Sequence, residues 1–408
     1  MEAIQSQVVI AGGGMVGLTL AIALARGGLE VAVADPMIAE QMGDERFDGR
    51  VSALAFASVR MLRVLGLWQR LEREGQPIND ILVNESTVGR GPSPFSLHFD
   101  HREIGEPLGH IVENRHIRQA LLAEMAAEKR IRFFPGTSAS SLAVMDGLAR
   151  IALSDGREIA APLAIAAEGR ESQLREAQGI GIIGWDYGQT GIVTTVAHER
   201  PHQGVAYEQF LPTGPFAILP MTGNRASLVW TEKASEARNL LALPERPFTA
   251  ELERRFGTHL GEVKPVGPRW SYPLRLHLAR SYVKDRFALI GDAAHTIHPL
   301  AGQGLNLGLK DVAALTETLL DAARLGLDYG TLDVLERYER WRRFDSFVLA
   351  VATDSLNRLF SNDFPPLKLA RELGMGAVDR VAPLRKFFMR HAGGDLGVLP
   401  RLLKGEAA

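Results

Sequence analysis

A chain of 408 residues with 46% hydrophobic and 23% charged residues has a globular composition and length enough for about two domains around a sizeable core. Its net charge of −2 leaves no electrostatic footprint for a nucleic acid, so no nucleic-acid partner is expected. The absence of cysteine excludes disulfides, thiolate metal sites and cysteine catalysis, and suits a reducing cytoplasm.

The first 35 residues carry the first motif. Val8–Ala25 is uncharged and long enough to be mistaken for a membrane span or signal segment. It contains four glycines and no Lys or Arg precedes it, which predicts a strand, a glycine turn and a buried helix, with no transmembrane segment. The strand Val8–Ala11 leads into Gly12-Gly13-Gly14-Met15-Val16-Gly17, the G-x-G-x-x-G pattern of a dinucleotide site. Gly12 permits the tight turn, Gly14 admits a pyrophosphate to the backbone, and Gly17 lets helix and strand pack closely. A second strand, Glu30–Ala34, ends at Asp35, about 20 residues on. An acid there takes ribose hydroxyls and repels a 2′-phosphate, which favours FAD or NAD over NADP.

Asp48-Gly49-Arg50-Val51-Ser52 reads as a loop before a helical stretch through Leu71; Arg50 is either a phosphate or ring-edge contact or a solvated loop residue. Asn79–Val83 and Ser96–Phe99 read as short strands, and Asn114–Lys129 as a helix. Arg132–Phe134, Leu148–Leu153 and Leu163–Ala167 are further strands, with a hairpin signal at Asp155-Gly156. Gly179-Ile180-Gly181-Ile182-Ile183-Gly184 repeats the glycine pattern without a preceding strand or a following helix, and reads as a linker. A separate NAD(P)H domain is therefore not expected.

From Gly191 to Glu232 the pattern is β-rich, as for an antiparallel sheet inserted into the dinucleotide fold. Tyr207, Phe216, Ile218 and Trp230 are the candidates there for facing a substrate, against the alternative that most are core. Residues 234–260 read as helical.

Phe287–Asp311, FALIGDAAHTIHPLAGQGLNLGLKD, is the second motif. An apolar strand ends at Gly291-Asp292, where a carboxylate can accept hydrogen bonds from a polyol. Gly302-Gln303-Gly304 then opens a helix with apolar residues at Leu305, Leu309, Val312, Leu315 and Leu319. The glycines let backbone N–H groups approach a flat ligand, and the helix start places positive potential on it. A polyol and a ring that becomes anionic together describe FAD. His295 and His298 are spaced like metal ligands, but Pro299 and the lack of an adjacent acid argue against a metal. Beyond Leu332 the chain is helical, and 364–405 forms a basic tail with eight Lys/Arg against three Asp/Glu. That tail reads as a packed protein face or, less commonly, as a membrane-surface segment.

With these residues assembled, the chain resembles the FAD-dependent ubiquinone-biosynthesis hydroxylases, class A flavin monooxygenases with a fold like that of para-hydroxybenzoate hydroxylase. The resemblance rests on Gly12-x-Gly14-x-x-Gly17 with Asp35, on Arg50-Val51-Ser52-Ala53-Leu54, and on Val112-Glu113-Asn114-Arg115. Its most specific part is Gly291-Asp292-Ala293-Ala294-His295 with His298-Pro299-Leu300-Ala301-Gly302-Gln303-Gly304-Leu305-Asn306-Leu307-Gly308; Tyr338-Glu339-x-x-Arg342-Arg343-x-Asp345 adds to it. It implies an α/β fold: a Rossmann-like FAD-binding domain (1–72, 101–180, 271–331), an inserted antiparallel-sheet substrate domain (73–100, 181–270) and a C-terminal helical region (332–408).

The resemblance also implies that Asp292 binds the ribityl chain, that Gly302–Asn306 faces the isoalloxazine, and that Pro299 lies where oxygen reacts. Asn114 falls where relatives place a Gln near the cofactor, and Glu168-Gly169 stands where they have Asp-Gly, a motif tied to FAD and reduced nicotinamide. The implied reaction hydroxylates the ring of a polyprenylated phenol through a flavin 4a-hydroperoxide, with dioxygen as co-substrate and electrons from NAD(P)H or a reductase partner. A biosynthetic complex, a homo-oligomer and a peripheral contact at the inner membrane face are compatible with it. The rival readings are a hydroxylase of a soluble phenol and a catalytically idle FAD-bound scaffold.

Overall fold

The computed structural model describes residues 3–88, 91–298, 302–360, 374, 376, 378–395 and 397–408. Five parallel strands, in the order Phe287–Leu289, Leu163–Ala166, Val8–Ala11, Val31–Asp35 and Ile131–Pro135, form the cofactor sheet, with Val283–Lys284 antiparallel at one edge. The first four read as near-continuous apolar runs because a parallel sheet is covered on both faces, and Val8–Ala11 and Leu163–Ala166 are wholly buried. Helix Met15–Arg26 packs against both Gln303–Arg324 and Asn114–Ala127. The register expected from the apolar spacing of Gln303–Arg324 holds: Leu309, Val312, Leu315 and Leu319 are buried.

The second large sheet runs in the order His295–Thr296, Trp270–Ala279, Ile182–His198, Arg225–Lys233, Gly214–Met221, Val205–Leu211, Asp80–Thr87 and Gly91–Asp100, with Val263–Pro265 beside Ile182–His198. One edge strand, His295–Thr296, follows directly on Asp292, so the sheet is anchored to the cofactor loop. The stretch read as a linker is only partly one. Gly179–Gly181 turns, but Ile182–Gly184 begins the long strand, and a Cβ at Gly184 would lie 1.8 Å from the Leu276 carbonyl oxygen.

Several strands escaped the sequence reading, Gly109–Glu113, Glu158–Ala161 and Trp270–Ala279 among them. Ala139–Met145 is largely exposed and shows no clear alternation, while Val51–Ala55 sits where a loop was expected and pairs with Gly109–Glu113. Residues 234–260 form two helices, Ala234–Ala242 and Glu245–Phe256, whose Ala237, Leu240, Phe248, Leu252 and Phe256 cover one face of the large sheet. At the C-terminus, Leu402 and Leu403 are buried in the cofactor-domain core, Arg401 reaches Glu317 and Asp321, and Gly393 lies against Phe56. This end of the tail is a packed protein face. No helix among the described residues is long and apolar enough to cross a membrane.

Candidate active site

Space is rationed unequally among the glycines of the first turn. Gly12 has φ +108°, and a Cβ on it would lie 2.4 Å from the Ala167 carbonyl oxygen; one on Gly17 would lie 2.0 Å from the Gly12 oxygen. Gly14 has no atom of the described residues within 4 Å of the same position and borders a cavity of about 490 Å³. The first and last glycines close the turn; the middle one leaves a gap where a phosphate can meet backbone N–H groups at a helix start. Asp35 ties this turn down. Its Oδ2 accepts from Gly13 N at 2.6 Å and its Oδ1 from Met37 N at 2.8 Å.

The same cavity is bordered by Asp292, which follows Phe287–Leu289. Gly291 adopts φ +59°, packs on Val16 and donates its N–H to Asp311 Oδ2 at 2.9 Å. The Asp292 carboxylate has no hydrogen-bond partner among the described residues, and burial pushes its pKa up while His295 and Arg170 pull the other way. An unpaired carboxylate at a cavity wall is a strong acceptor for ligand hydroxyls. Behind the loop, Asp311 also accepts from His295 Nε2 at 2.6 Å and from Arg342 Nε at 2.8 Å. All three are buried. His295 thus braces the loop from behind.

Helix Gln303–Arg324 starts at Gly302, whose φ of +64° is left-handed and whose Cβ would meet Ala53 at 2.9 Å. Gly304 and Leu305 border the 490 Å³ cavity and also a second one of about 270 Å³. Ser52, Asn114 and Tyr272 are likewise shared, so the two spaces meet at this wall. Asn114 Oδ1 accepts from Ser52 Oγ at 2.7 Å. Arg50 borders the smaller space, paired with Asp48 and lying over Trp270.

The roof of the smaller cavity is the large sheet. Side chains alternate between its faces, and the face toward the cavity presents Val193, Glu208, Pro215, Ala217, Leu219, Ser227, Val229 and Thr231. The aromatic residues expected to face a substrate occupy the opposite parity. Phe216 pairs with Trp230, Ile218 with Tyr207, and all four pack in the cluster beneath helices Ala234–Ala242 and Glu245–Phe256. Tyr207, Phe216, Ile218 and Trp230 are therefore corrected from cavity candidates to core. His298 also borders the cavity; it is buried, neither ring nitrogen has a partner among the described residues, and burial pushes its pKa down to about 4.

Three further expectations change. Glu168 turns away from the cavity, accepting from Ser172 Oγ at 2.6 Å and Leu174 N at 3.2 Å, while its neighbours Gly169 and Arg170 border the space. Asn306 spends its amide within the protein. Its Oδ1 accepts from Ala55 N and Ser58 Oγ, and its Nδ2 donates to the Ala53 carbonyl, stapling the helix start to Val51–Ala55. Gln303 donates to the Ala392 carbonyl. Pro299 lies outside the described residues. Ser52, Glu208 and Tyr272 were not singled out from the sequence. The available signals were the motif Arg50-Val51-Ser52-Ala53-Leu54 for Ser52 and, for Glu208, a charge beside Gln209 in the otherwise apolar and aromatic V-A-Y-E-Q-F-L.

The donor set fits FAD: an open glycine turn at a helix start for the pyrophosphate, an unpaired Asp292 for the polyol, and a second helix start with an open Gly304 for the ring. Comparison with known proteins agrees. The FAD binding domain family matches residues 5–344. Ubiquinone hydroxylase UbiL of Rhodospirillum rubrum is 51% identical, covering 98% of this chain and 93% of the relative. The 3-demethoxyubiquinol 3-hydroxylase of Escherichia coli is 36% identical over 95% and 98%, and the human mitochondrial ubiquinone biosynthesis monooxygenase COQ6 31% over 94% and 92%. Among solved structures, p-nitrophenol 4-monooxygenase PnpA of Pseudomonas putida superposes with a TM-score of 0.79 over 97% of this chain and all of the other, at 18% identity, which speaks to the fold. The chain belongs to the FAD-dependent ubiquinone-biosynthesis hydroxylases.

Proposed function

We propose that this protein hydroxylates the ring of a polyprenylated phenol in ubiquinone biosynthesis. The observation that carries this reading is the second cavity, its lining surface mostly apolar, opening onto Gly302, Gly304 and Leu305, next to a space suited to FAD. In this reading Gly12, Gly14, Gly17 and Asp35 hold the adenosine diphosphate half, Asp292 the ribityl hydroxyls, and Asn114, Gly304 and Leu305 border the ring. Bound FAD, once reduced, supplies the activation of dioxygen. The start of Gln303–Arg324 adds backbone N–H groups and a helix dipole that stabilise negative charge without reorganising. Val193, Ala217, Leu219 and Val229 exclude water from the ring to be hydroxylated.

Electrons come from NAD(P)H or from a reductase partner. A polyprenylated substrate dissolves in the bilayer, so reaching it calls for contact with the membrane surface rather than insertion, at the cytoplasmic face of the inner membrane. An assembly with other proteins of the pathway, or self-association, is compatible with this arrangement. The test uses purified protein loaded with FAD, reduced without oxygen, mixed with a prenylated phenol and then with air. A hydroxylated product forming in preference to hydrogen peroxide supports the reading. Peroxide alone with every prenylated phenol, alongside turnover of a small soluble phenol, would overturn it.

A further inference from the structure

We propose that Glu208 binds the phenolic hydroxyl of the substrate and takes up its proton. The proposal deepens the hydroxylase reading above and rests on it. Backbone register sets Glu208 in a row across the sheet: Val193 lies opposite Val229, Val229 opposite Ala217, Ala217 opposite Glu208, and Glu208 opposite Val83. Val193, Val229, Ala217 and Glu208 all border the smaller cavity. A carboxyl thus stands where the fold's own neighbours are aliphatic, over a space whose opposite wall is Gly302, Gly304 and Leu305. It has no hydrogen-bond partner and no ion-pair partner among the described residues.

A half-buried carboxylate that faces an apolar cavity without a partner is costly. A ligand hydroxyl would supply the missing partner. The chemistry is specific. A carboxylate accepts a hydrogen bond from a phenol but not from its methyl ether. In the proton transfer the phenolic O–H bond breaks and its electron pair stays on oxygen. A new O–H bond forms on Glu208, and no oxidant or reductant enters the step. The electron density gained by the ring makes its carbons better nucleophiles for oxygen transfer. Burial raises the pKa of Glu208 to about 7, where a general base operates well. The other titratable or charged groups on this cavity are Arg50, Tyr272 and His298. Burial pushes Tyr272 up to about 12 and His298 down to about 4, so neither changes charge near neutrality.

Three variants and two readouts test this. Oxidised, FAD-loaded protein is titrated with 2-farnesylphenol and with its methyl ether. Wild type should prefer the phenol by about ten- to a hundredfold, the range for a hydrogen bond to a charged group, and Glu208→Val should lose that preference while keeping FAD. In single turnovers of reduced protein with the phenol and oxygen, Glu208→Gln should form product about a hundredfold more slowly. It should also lose the rise in rate with pH near 7, and Glu208→Asp should restore part of both. An unchanged preference in Glu208→Val, or a wild-type yield and pH profile in Glu208→Gln, would overturn the assignment. So would loss of FAD from Glu208→Val and Glu208→Gln alike, which would make the carboxyl structural. Wild type that binds the phenol selectively but forms no product would instead defeat the hydroxylase reading and leave the binding role of Glu208 standing.

Discussion

Replacing Asp311 with Asn should unbrace the cofactor loop. The carboxylate accepts from three donors, Gly291 N at 2.9 Å, His295 Nε2 at 2.6 Å and Arg342 Nε at 2.8 Å, and it is fully buried. Breaking a buried charge pair by removing one partner costs about 3–5 kcal/mol. Arg342 keeps a second partner in Asp345 at 2.5 Å, so its charge is not orphaned and the lower end, about 3 kcal/mol, applies. That is a large share of the roughly 5–15 kcal/mol that holds a protein folded. Burial alone would push the pKa of Asp311 up, but His295 and Arg342 hold it below its ordinary 3.8. A carboxylate depressed on folding stabilises the native state above its unfolded pKa, and that stability is lost as pH falls through the folded value. The difference between wild type and Asp311→Asn should therefore be constant from neutrality down to about pH 4 and shrink below it. Urea unfolding of the FAD-free proteins across pH measures this, and an FAD titration reports on the loop. A variant within about 1 kcal/mol of wild type, with unchanged FAD affinity, would refute the bracing role.

Three further outcomes are expected. Asp292→Ala should weaken FAD binding by at least the worth of one charge-assisted hydrogen bond, about 1.5–3 kcal/mol; equal dissociation constants for the two proteins would place the polyol elsewhere. In Gly304→Val the new side chain meets no atom of the described residues within 4 Å of its Cβ and projects at the cavity wall. It should fold normally yet lose FAD and product formation together, and normal FAD retention would count against a ring at that wall. Burial raises the pKa of Glu208 from 4.5 to about 7, so folding favours the protonated form, and stability present below the unfolded pKa is lost as pH rises through 7. Glu208→Gln should accordingly be more stable than wild type at pH 8 by up to about 3 kcal/mol and much less so at pH 5. Thermal unfolding of the FAD-free proteins at the two pH values checks it; a difference that does not vary with pH would contradict the buried titration.

What the chain determined by itself is whatever depends on neighbours in sequence. The turn at Gly12–Gly17 and its acid Asp35 were legible because a left-handed φ, a close strand–helix approach and a strand-tip carboxylate are local demands, each answered by one residue type. Asp292 and the opening of Gln303–Arg324 were legible for the same reason. That Gly191–Glu232 is β-rich was visible too, but not which parity meets the substrate. Both faces of that sheet are covered, one by helices and one by the cavity, so hydrophobicity does not tell them apart. The aromatic residues took the helix-covered side, and the smaller Ala217, Ser227, Val229 and Thr231 line the cavity because it needs room. Glu168 and Asn306 show the same limit at single residues. Each sits in a motif, yet the direction of its side chain is set by partners far away in sequence or around a turn, Ser172 and Leu174 for one, Ala53, Ala55 and Ser58 for the other. The isolation of Glu208 was decided by tertiary structure alone. Only the packed sheet brings Val83, Ala217, Val229 and Val193 into one row with it and leaves its carboxyl facing the cavity without a partner among the described residues.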